Sequence, residues 1–263
     1  MKHIASRDNT TLKHLYRLAQ SSSARKREQE TLLDGAHLIS AALAHQIPFQ
    51  ALLTLEDENK PAEFLEIIAQ AQSQNIEIIT LPGPLFAHIS PVDTPSGLMA
   101  WINWPERENL PRAANESMLI LDAIQDPGNL GTLMRTAAAA GIVHVGLTPG
   151  CAQAWSPRVL RAAMGAHFLL HITEALNAPE TLSAFNGEIL ATVPEDSATT
   201  LYQLDLRGPI AWLVGAEGQG LTPTLKACAT QTVRIPMPGA MESLNVAAAT
   251  AICLFEQVRQ KNT

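Results

Sequence analysis

The sequence has few cysteines, no long apolar segment and no overall positive charge, and each absence argues against a class of protein. Cys151, Cys228 and Cys253 are scattered along 263 residues without metal-ligand spacing, so neither a disulfide framework nor a metal site is expected. The longest apolar run, "VAAATAICLF" at 246–255, is too short to cross a bilayer, and the first residues lack the apolar stretch of a secretory signal. We therefore expect a cytoplasmic protein outside the membrane.

The missing positive charge is a property of the whole chain rather than of every part of it. With 18 basic and 25 acidic residues the net charge is −7, which argues against a protein that coats nucleic acid by bulk electrostatics. Residues 1–30, however, hold seven basic and three acidic groups, so they carry +4 and the rest of the chain carries −11. Such a basic segment is typical of local contact with RNA or of a solvated helix face, and charge alone does not separate the two.

What the sequence does contain is a regular alternation of helical and extended segments. Residues 1–104 predict a small α/β domain, and the polar, proline-containing stretch 105–117 predicts a linker. In residues 118–263 continuous apolar strands alternate with helices, which predicts a parallel sheet covered by helices on both faces. Ligands bind such sheets in loops at the carboxyl ends of the strands, and three unusual loops follow predicted strands.

The first of these loops is "QDPGNLGTLMRTAAAAG" at 125–141. Asn129 is placed to cap the helix that follows a tight turn. On that helix Arg135 has small residues around it, so a phosphate or carboxylate has room to approach its guanidinium fork. Asn129 is alternatively only a cap, and Arg135 only part of an exposed alanine-rich face.

The second loop, "WLVGAEGQGL" at 212–221, looks like a phosphate cradle but contains Glu217. Its glycine spacing matches neither a dinucleotide site nor a P-loop, and the carboxylate would repel a phosphate. The glycines let the backbone approach a ligand closely, while Glu217 can hold a guanidinium, an amine or a sulfonium. The alternative is a glycine-rich turn with an exposed acid.

The third loop lies in "IPMPGAMESLNVAAATAI" at 235–252. We expect Ser243 or Glu242 to start the last helix, so that Asn245 lies where a cap is no longer needed. The small residues that follow permit close approach by another helix or subunit. A capped and packed helix explains the same pattern.

A fourth segment, "SPRVLRAAMGAHF" at 156–168, begins with the serine and proline that are typical of a helix start. Arg158 and Arg161 lie one turn apart on one face of this predicted helix. Two guanidinium groups in that arrangement can bind a nucleic-acid backbone, and they can equally be ordinary surface charges.

In this order the four segments resemble the SpoU family of RNA ribose 2′-O-methyltransferases, which belongs to the knotted SPOUT class. The three family motifs are similar to "DPGNLGTLMRTAAAAG", "LVGAEGQGL" and "IPMPGAMESLNVAAATAI", and the fourth segment resembles one found between the first two. The resemblance covers residues 118–260. Residues 1–104 more loosely resemble the substrate-binding domain that precedes the catalytic domain in many members. One departure is Ala216, where many members have asparagine.

The resemblance implies a fold and a set of partners. The fold is a SPOUT-type parallel sheet with a deep trefoil knot at its carboxyl end, preceded by a small α/β RNA-binding domain. The cofactor is S-adenosyl-L-methionine, and the enzyme is a homodimer. The substrate is structured RNA, with ribosomal RNA favoured by the two-domain chain and its basic leading segment, and transfer RNA possible as an alternative.

The resemblance also assigns site residues. The cofactor positions carry over onto Thr192, Gly215, Ile235 and Leu244. The catalytic and substrate positions carry over onto Asn129, Arg135, Glu217, Ser243 and Asn245. For contact with RNA, the basic residues of the sequence add Arg7, Lys13, Arg25, Arg27, Arg158 and Arg161.

Methyl transfer to a ribose hydroxyl is an in-line displacement that requires no metal. We expect Arg135 to clamp the phosphate beside the target ribose and to stabilise the emerging alkoxide, because a guanidinium stays protonated and is no base. Glu217 is expected to orient Arg135. Two other functions stay open: an RNA-binding relative without catalysis, which the five polar positions disfavour, and a nicotinamide-dependent oxidoreductase, which the failed glycine fingerprint disfavours.

Overall fold

The computed structural model describes residues 2–57, 59–92, 94–105 and 116–263, so most of the predicted linker, residues 106–115, lies outside the described residues. The chain divides into two compact units. The first comprises Met1–Glu106 and Trp155–Phe168, and the second comprises Arg107–Ala154 and Leu169–Thr263. The helical segment Trp155–Phe168 thus belongs to the first unit, although its neighbours in sequence belong to the second.

The first unit contains a mixed five-stranded sheet in the order β1-β4-β3-β5-β2. Strands β1, β4 and β3 pair in parallel, whereas β5 runs antiparallel to both β3 and β2. Its elements in chain order are β1 (Lys2–His3), α1 (Thr10–Gln20), α2 (Ser22–Glu28), β2 (Glu30–Asp34), α3 (Ala36–Ala44), β3 (Phe49–Leu55), α4 (Ala62–Ser73), β4 (Ile78–Leu81), α5 (Gly83–Ile89) and β5 (Leu98–Asn103).

Helix α1 shows how the sequence builds this unit. The Asn9 side chain caps the helix by accepting hydrogen bonds from the first free backbone N–H groups. Leu12, Leu15 and Leu18 recur at helical spacing and are buried in the core of the unit. Burial of each leucine side chain stabilises the fold by roughly 1.5–3 kcal/mol.

The second unit contains a seven-stranded sheet in the order β10-β12-β9-β11-β6-β7-β8, and every pair in it is parallel. The expectation of a parallel α/β sheet is confirmed. The remaining elements are β6 (Met118–Asp122), α6 (Pro127–Ala139), β7 (His144–Leu147), α7 (Pro157–Ala163, first unit), β8 (His171–Thr173), α8 (Ala178–Ser183), β9 (Glu188–Thr192), β10 (Thr199–Thr200), β11 (Ile210–Gly215), α9 (Pro223–Lys226), β12 (Gln231–Arg234) and α10 (Val246–Lys261).

The carboxyl ends of β6, β11 and β12 carry the three loops singled out in the sequence. Strands β6 and β11 are neighbours in register, with Asp122 opposite Gly215 at their ends. Helices α6 and α10, which follow the first and third loops, pack against each other. Parallel pairing therefore brings together segments that lie about a hundred residues apart in the chain.

Two predicted helices have different bounds in the structure. The last helix begins at Val246 rather than at residue 243, and α7 ends at Ala163, where Met164 adopts a left-handed conformation with φ 50°. Short elements such as β1, β10 and α8 give too few residues for a periodic pattern and were not predicted. Among the described residues, no helix is long and apolar enough to span a membrane.

Candidate active site

Three polar side chains from the three loops meet at the carboxyl end of the seven-stranded sheet. The Asn129 amide donates a hydrogen bond to Glu217 Oε1. The Asn245 amide donates to the same oxygen at 3.2 Å and to Asn129 Oδ1 at 3.2 Å. We call these three residues the polar triangle. Each of the three motifs contributes one corner, so three motifs that are separate in sequence form one site.

Asn129 is free to join the polar triangle because another residue caps its helix. Asp126 is the N-cap of α6, and its Oδ1 accepts a hydrogen bond from the Asn129 backbone N–H at 2.7 Å. Pro127 occupies the first helical position, where its missing N–H costs nothing. The interpretation of Asn129 as the cap is therefore wrong, and its side chain reaches Glu217 instead.

Asn245 was predicted to lie where no cap is needed, but the structure shows that it caps the last helix. It is the N-cap of α10, and its Oδ1 accepts hydrogen bonds from Ala247 N at 2.9 Å and Ala248 N at 3.3 Å. Neither Ser243 nor Glu242 starts the helix. Because its Oδ1 caps the helix while its amide nitrogen points at Glu217, Asn245 ties the start of α10 to the polar triangle.

Two glycines of the second loop, Gly215 and Gly220, are required by the shape of the loop itself. A Cβ on Gly215 would overlap the backbone of Gly220 and Leu221, because the loop folds back on the end of β11. Gly220 N donates to Ala216 O at 2.8 Å, and Gly220 has a φ of +67°, which favours glycine. The absence of a Cβ at Gly215 thus lets the loop fold back on β11, and Gly215 also lines the cleft described next.

A cleft of about 510 Å³ lies beside the polar triangle, within the range of small-molecule sites. All four predicted cofactor residues line it, together with Glu217 and Ser243. The full set from the predictions is Thr192, Gly215, Glu217, Ile235, Ser243 and Leu244.

The charge of this cleft is acidic. Its charged lining residues are Glu195, Glu217 and Lys226, and Lys226 donates a hydrogen bond to Glu195 Oε1 at 2.6 Å. That bond is the main cause that holds the pKa of Glu195 below its ordinary value. Within the part of the chain that the structure describes, Glu217 is bound by neutral amides alone, so its carboxylate remains available to a cation in the cleft.

The structure does not bring Arg135 into contact with Glu217. Arg135 is exposed on α6, and none of the described residues hydrogen bonds or forms an ion pair with its guanidinium. The hypothesis that Glu217 orients Arg135 therefore has no contact to support it, since the partners of Glu217 are Asn129 and Asn245. The Arg135 guanidinium is left free to bind an anion.

Five of the six basic residues proposed for RNA contact are exposed on the first unit. Two of them form ion pairs with exposed acidic residues, Lys13 with Asp8 and Arg27 with Glu28. The exposed set comprises Arg7, Lys13, Arg27, Arg158 and Arg161, the last two on α7.

Arg25 is the exception. It is only 6% exposed, and its guanidinium donates to Leu18 O at 2.6 Å and to Ala19 O at 3.2 Å. These carbonyl groups lie near the end of α1, where they have no helical partner of their own. The proposal that Arg25 contacts RNA is corrected, because this side chain stabilises a helix end inside the unit.

Sequence reasoning missed a buried acid at this end of the sheet. Asp122 ends β6 with only 2% of its surface exposed and accepts hydrogen bonds from Thr148 and Thr222. A charged residue that ends a strand of continuous apolar residues was the available signal. Nearby, burial is the main cause that raises the pKa of the Cys151 thiol, which bonds to Leu121 O at 3.4 Å. Cys151 is thus a free, partly buried thiol that packs beside the end of β6.

Comparison with known proteins identifies the chain. The sequence pattern of the SpoU rRNA Methylase family matches residues 116–255, more than half of the chain, and that of the MRM3-like substrate binding domain matches residues 9–100. A Synechocystis protein named an uncharacterized tRNA/rRNA methyltransferase is 33% identical over 98% of this chain and 94% of its own length. The 23S rRNA (guanosine(2553)-2′-O)-methyltransferase of Bacillus subtilis is 30% identical over 97% of this chain and 98% of its own length.

The fold agrees with these matches. The crystal structure of an AdoMet bound rRNA methyltransferase from Sinorhizobium meliloti superimposes with a TM-score of 0.82 at 26% identity, covering 98% of this chain and 97% of that one. The matched family region contains the polar triangle and the cleft beside it. The chain therefore belongs to the SpoU rRNA methylase family.

Proposed function

We propose that this chain methylates a ribose 2′-hydroxyl of ribosomal RNA. The chain is an S-adenosylmethionine-dependent RNA methyltransferase of the SpoU family. The observation that carries the proposal is the acidic cleft of the second unit, with the polar triangle at its side and all four expected cofactor residues in its lining. Its relative from Bacillus subtilis carries the name of a 23S rRNA 2′-O-methyltransferase, which supports ribosomal RNA as the substrate.

The residues of the cleft fit S-adenosylmethionine, which when bound supplies a methyl group on a positively charged sulfur. Ile235 and Leu244 offer apolar contact, and Thr192 and the folded loop after Gly215 add hydroxyl and backbone groups. The Glu217 carboxylate, which is without a cationic partner among the described residues, favours a cation nearby. Ser243 lies in the same lining and is placed to position the nucleotide or the cofactor's amino acid part.

Arg135 acts on the substrate side of the reaction. Its exposed guanidinium can hold the phosphate next to the target ribose in a bidentate contact. Because the guanidinium stays protonated, it stabilises negative charge on the 2′-oxygen as the hydroxyl proton leaves, and it does not itself take the proton. The rest of the rate comes from holding the hydroxyl in line with the methyl group. The polar triangle contributes by fixing the loops that form the site.

The first unit supports RNA binding. Its match to a substrate binding domain agrees with the exposed basic residues of that unit, namely Arg7, Lys13, Arg27, Arg158 and Arg161. We infer that they contact phosphates of the substrate.

Family membership supports four further proposals. We infer a deep trefoil knot in residues 118–263, a homodimer, a cytoplasmic location and a domain division into residues 1–104, 105–117 and 118–263. Sedimentation analysis of the purified protein tests the dimer, since a monomer at micromolar concentration contradicts it.

Two measurements test the proposed function. Calorimetric titration with S-adenosylmethionine must give saturable binding, and radioactive methyl must pass to 23S ribosomal RNA in preference to transfer RNA. Ribose-methylation mapping in a strain that lacks the gene then identifies the nucleotide. Cofactor binding with transfer to transfer RNA alone contradicts the ribosomal substrate. RNA binding without cofactor binding identifies a relative without catalysis.

A further inference from the structure

We infer that Asp122 is a positioning residue of the active site, because its buried carboxylate holds both loops that supply Asn129 and Glu217. The inference rests on the proposed function and names a residue outside the polar triangle and the cleft. Asp122 touches neither substrate nor cofactor in this scheme. It acts through the protein groups that it binds.

The contacts of Asp122 are short and use both carboxylate oxygens. Thr148 Oγ1 donates to Oδ1 at 2.7 Å, and Thr222 N donates to Oδ2 at 2.7 Å. Among the residues that the structure describes, no cation forms an ion pair with this carboxylate. Asp122 is only 2% exposed, and burying a carboxylate without partners is costly. The two hydrogen bonds compensate this cost.

One of the two bonds fixes the loop that carries Glu217. The loop begins at Gly215, which pairs with Asp122 in the register of β11 and β6. It ends at Thr222, whose N–H is bound by Asp122 and whose hydroxyl caps α9. The loop is thus tied at both ends to the last residue of β6. Glu217 lies between the two ties, so its position follows from them.

The other bond fixes the start of the loop that carries Asn129. Thr148 Oγ1 donates to Asp122 and accepts a hydrogen bond from Ala123 N at 3.1 Å. Ala123 has a φ of 54°, a left-handed conformation that is unfavourable for alanine, at the turn where the chain leaves β6. The hydroxyl of Thr148 stabilises this turn, which directs the chain toward Asp126 and Asn129.

One carboxylate therefore sets the relative position of two loops whose side chains hydrogen bond to each other. If Asp122 is altered, the amide of Asn129 and the carboxylate of Glu217 are no longer held in a fixed position relative to each other. A displacement of about 1 Å in such a site can lower a reaction rate by roughly a hundredfold. The effect on catalysis is then larger than the loss of two hydrogen bonds alone would predict.

The test compares Asp122→Asn with variants of its partner and with a buried control. Asparagine replaces one accepting oxygen with a donor, which must face either Thr148 or Thr222. We expect kcat for methyl transfer to fall by about tenfold to a hundredfold. Thr148→Val, which removes the hydroxyl at similar volume, should reproduce part of the loss, and Thr148→Ser should restore kcat to within about twofold of wild type.

The matched control is Gln257→Leu. Gln257 is also buried and hydrogen bonded, but it lies at the opposite end of the sheet, where it accepts from Trp212 Nε1 at 2.9 Å. This variant should lose thermal stability and keep the wild-type kcat below its Tm. A second control is the double variant Asp122→Asn/Glu217→Gln. Its loss should be close to the larger single loss, because Asp122 acts through the loop of Glu217.

Several outcomes overturn the inference. They are an Asp122→Asn variant with kcat within about twofold of wild type, a multiplicative loss in the double variant, and a Thr148→Val variant with wild-type kcat. Should Asp122→Asn fail to fold, Thr148→Val decides alone. Hydrogen exchange at residues 216–222 gives a readout without activity, since protection there must fall in Asp122→Asn. A wild-type protein that transfers no methyl group contradicts the proposed function instead, and exchange then still tests the inference.

Discussion

The two ends of the seven-stranded sheet use the same side-chain chemistry for different purposes. At the carboxyl end, the amides of Asn129 and Asn245 bind Glu217 in an exposed setting. At the amino end, Gln257 accepts from Trp212 Nε1 at 2.9 Å and donates to Ser117 Oγ at 2.9 Å, and both Gln257 and Trp212 are buried.

The two ends differ in whether water can replace a hydrogen-bond partner that is lost. A buried donor that loses its partner costs roughly 1–3 kcal/mol, because no water reaches it, whereas an exposed group exchanges its partner for water at little cost. The amino end therefore stabilises the fold. The side-chain hydrogen bonds of the polar triangle contribute little stability but keep polar groups available to a ligand. Substitutions at the two ends should separate activity from stability.

The largest effect is expected from Arg135→Lys at the carboxyl end. Lysine keeps the charge but loses the bidentate geometry, so kcat should fall about a hundredfold while the affinity for S-adenosylmethionine stays within about twofold. Arg259→Lys, an exposed arginine near the end of α10, is the matched control and should retain full activity. A fully active Arg135→Lys variant would disprove the clamp. A loss of cofactor affinity would place Arg135 on the cofactor side.

Asn245→Asp is expected to have the next largest effect. Aspartate retains the N-cap of α10, so Tm should stay close to wild type. It also places a second carboxylate against Glu217, and the repulsion should lower kcat by about tenfold. Asn245→Ala serves for comparison, since it loses the cap as well and should cost about 1 kcal/mol of stability. Thermal melts and methyl-transfer rates measure the two effects. An active Asn245→Asp variant would show that the polar triangle is dispensable.

Gln257→Leu moves the comparison to the amino end. The substitution leaves Trp212 Nε1 buried without an acceptor, so we expect Tm to fall by about 5 °C. Below the Tm, methyl transfer should proceed at the wild-type rate. If kcat falls along with Tm, the two ends of the sheet are coupled and the division between stability and activity is wrong.

The smallest effect is expected from Glu256→Gln on α10. The hydrogen bond from Arg259 is the main cause that lowers the pKa of Glu256 from 4.5 to about 2. Because the folded-state pKa is depressed, the charged pair stabilises the protein above about pH 4.5, and this stabilisation is lost as the pH falls toward 2. The variant should melt about 1 °C below wild type near neutral pH. Melts from pH 7 to 2 check this, since a difference that is independent of pH points to packing instead of charge.

Local pattern and the order of the motifs were enough to predict the family, the parallel sheet and six of the residues that line the cleft. Strands of continuous apolar residues between helices required a buried parallel sheet, and parallel strands place their following loops at one edge. Glu217 could be singled out because an acid in a glycine-rich turn excludes a phosphate site. These inferences rest on local pattern and on the order of motifs, both of which a sequence contains.

What each polar side chain binds depends on the folded arrangement of the chain. Asn129 and Asn245 exchanged their expected roles, since Asp126 caps α6 and leaves Asn129 free while Asn245 caps α10. Whether a cap is needed depends on where the helix starts, and that start is set by packing as well as by local preference. The burial of Arg25 and the two hydrogen bonds of Asp122 likewise depend on groups brought close by the fold, Asp122 and Thr222 being a hundred residues apart.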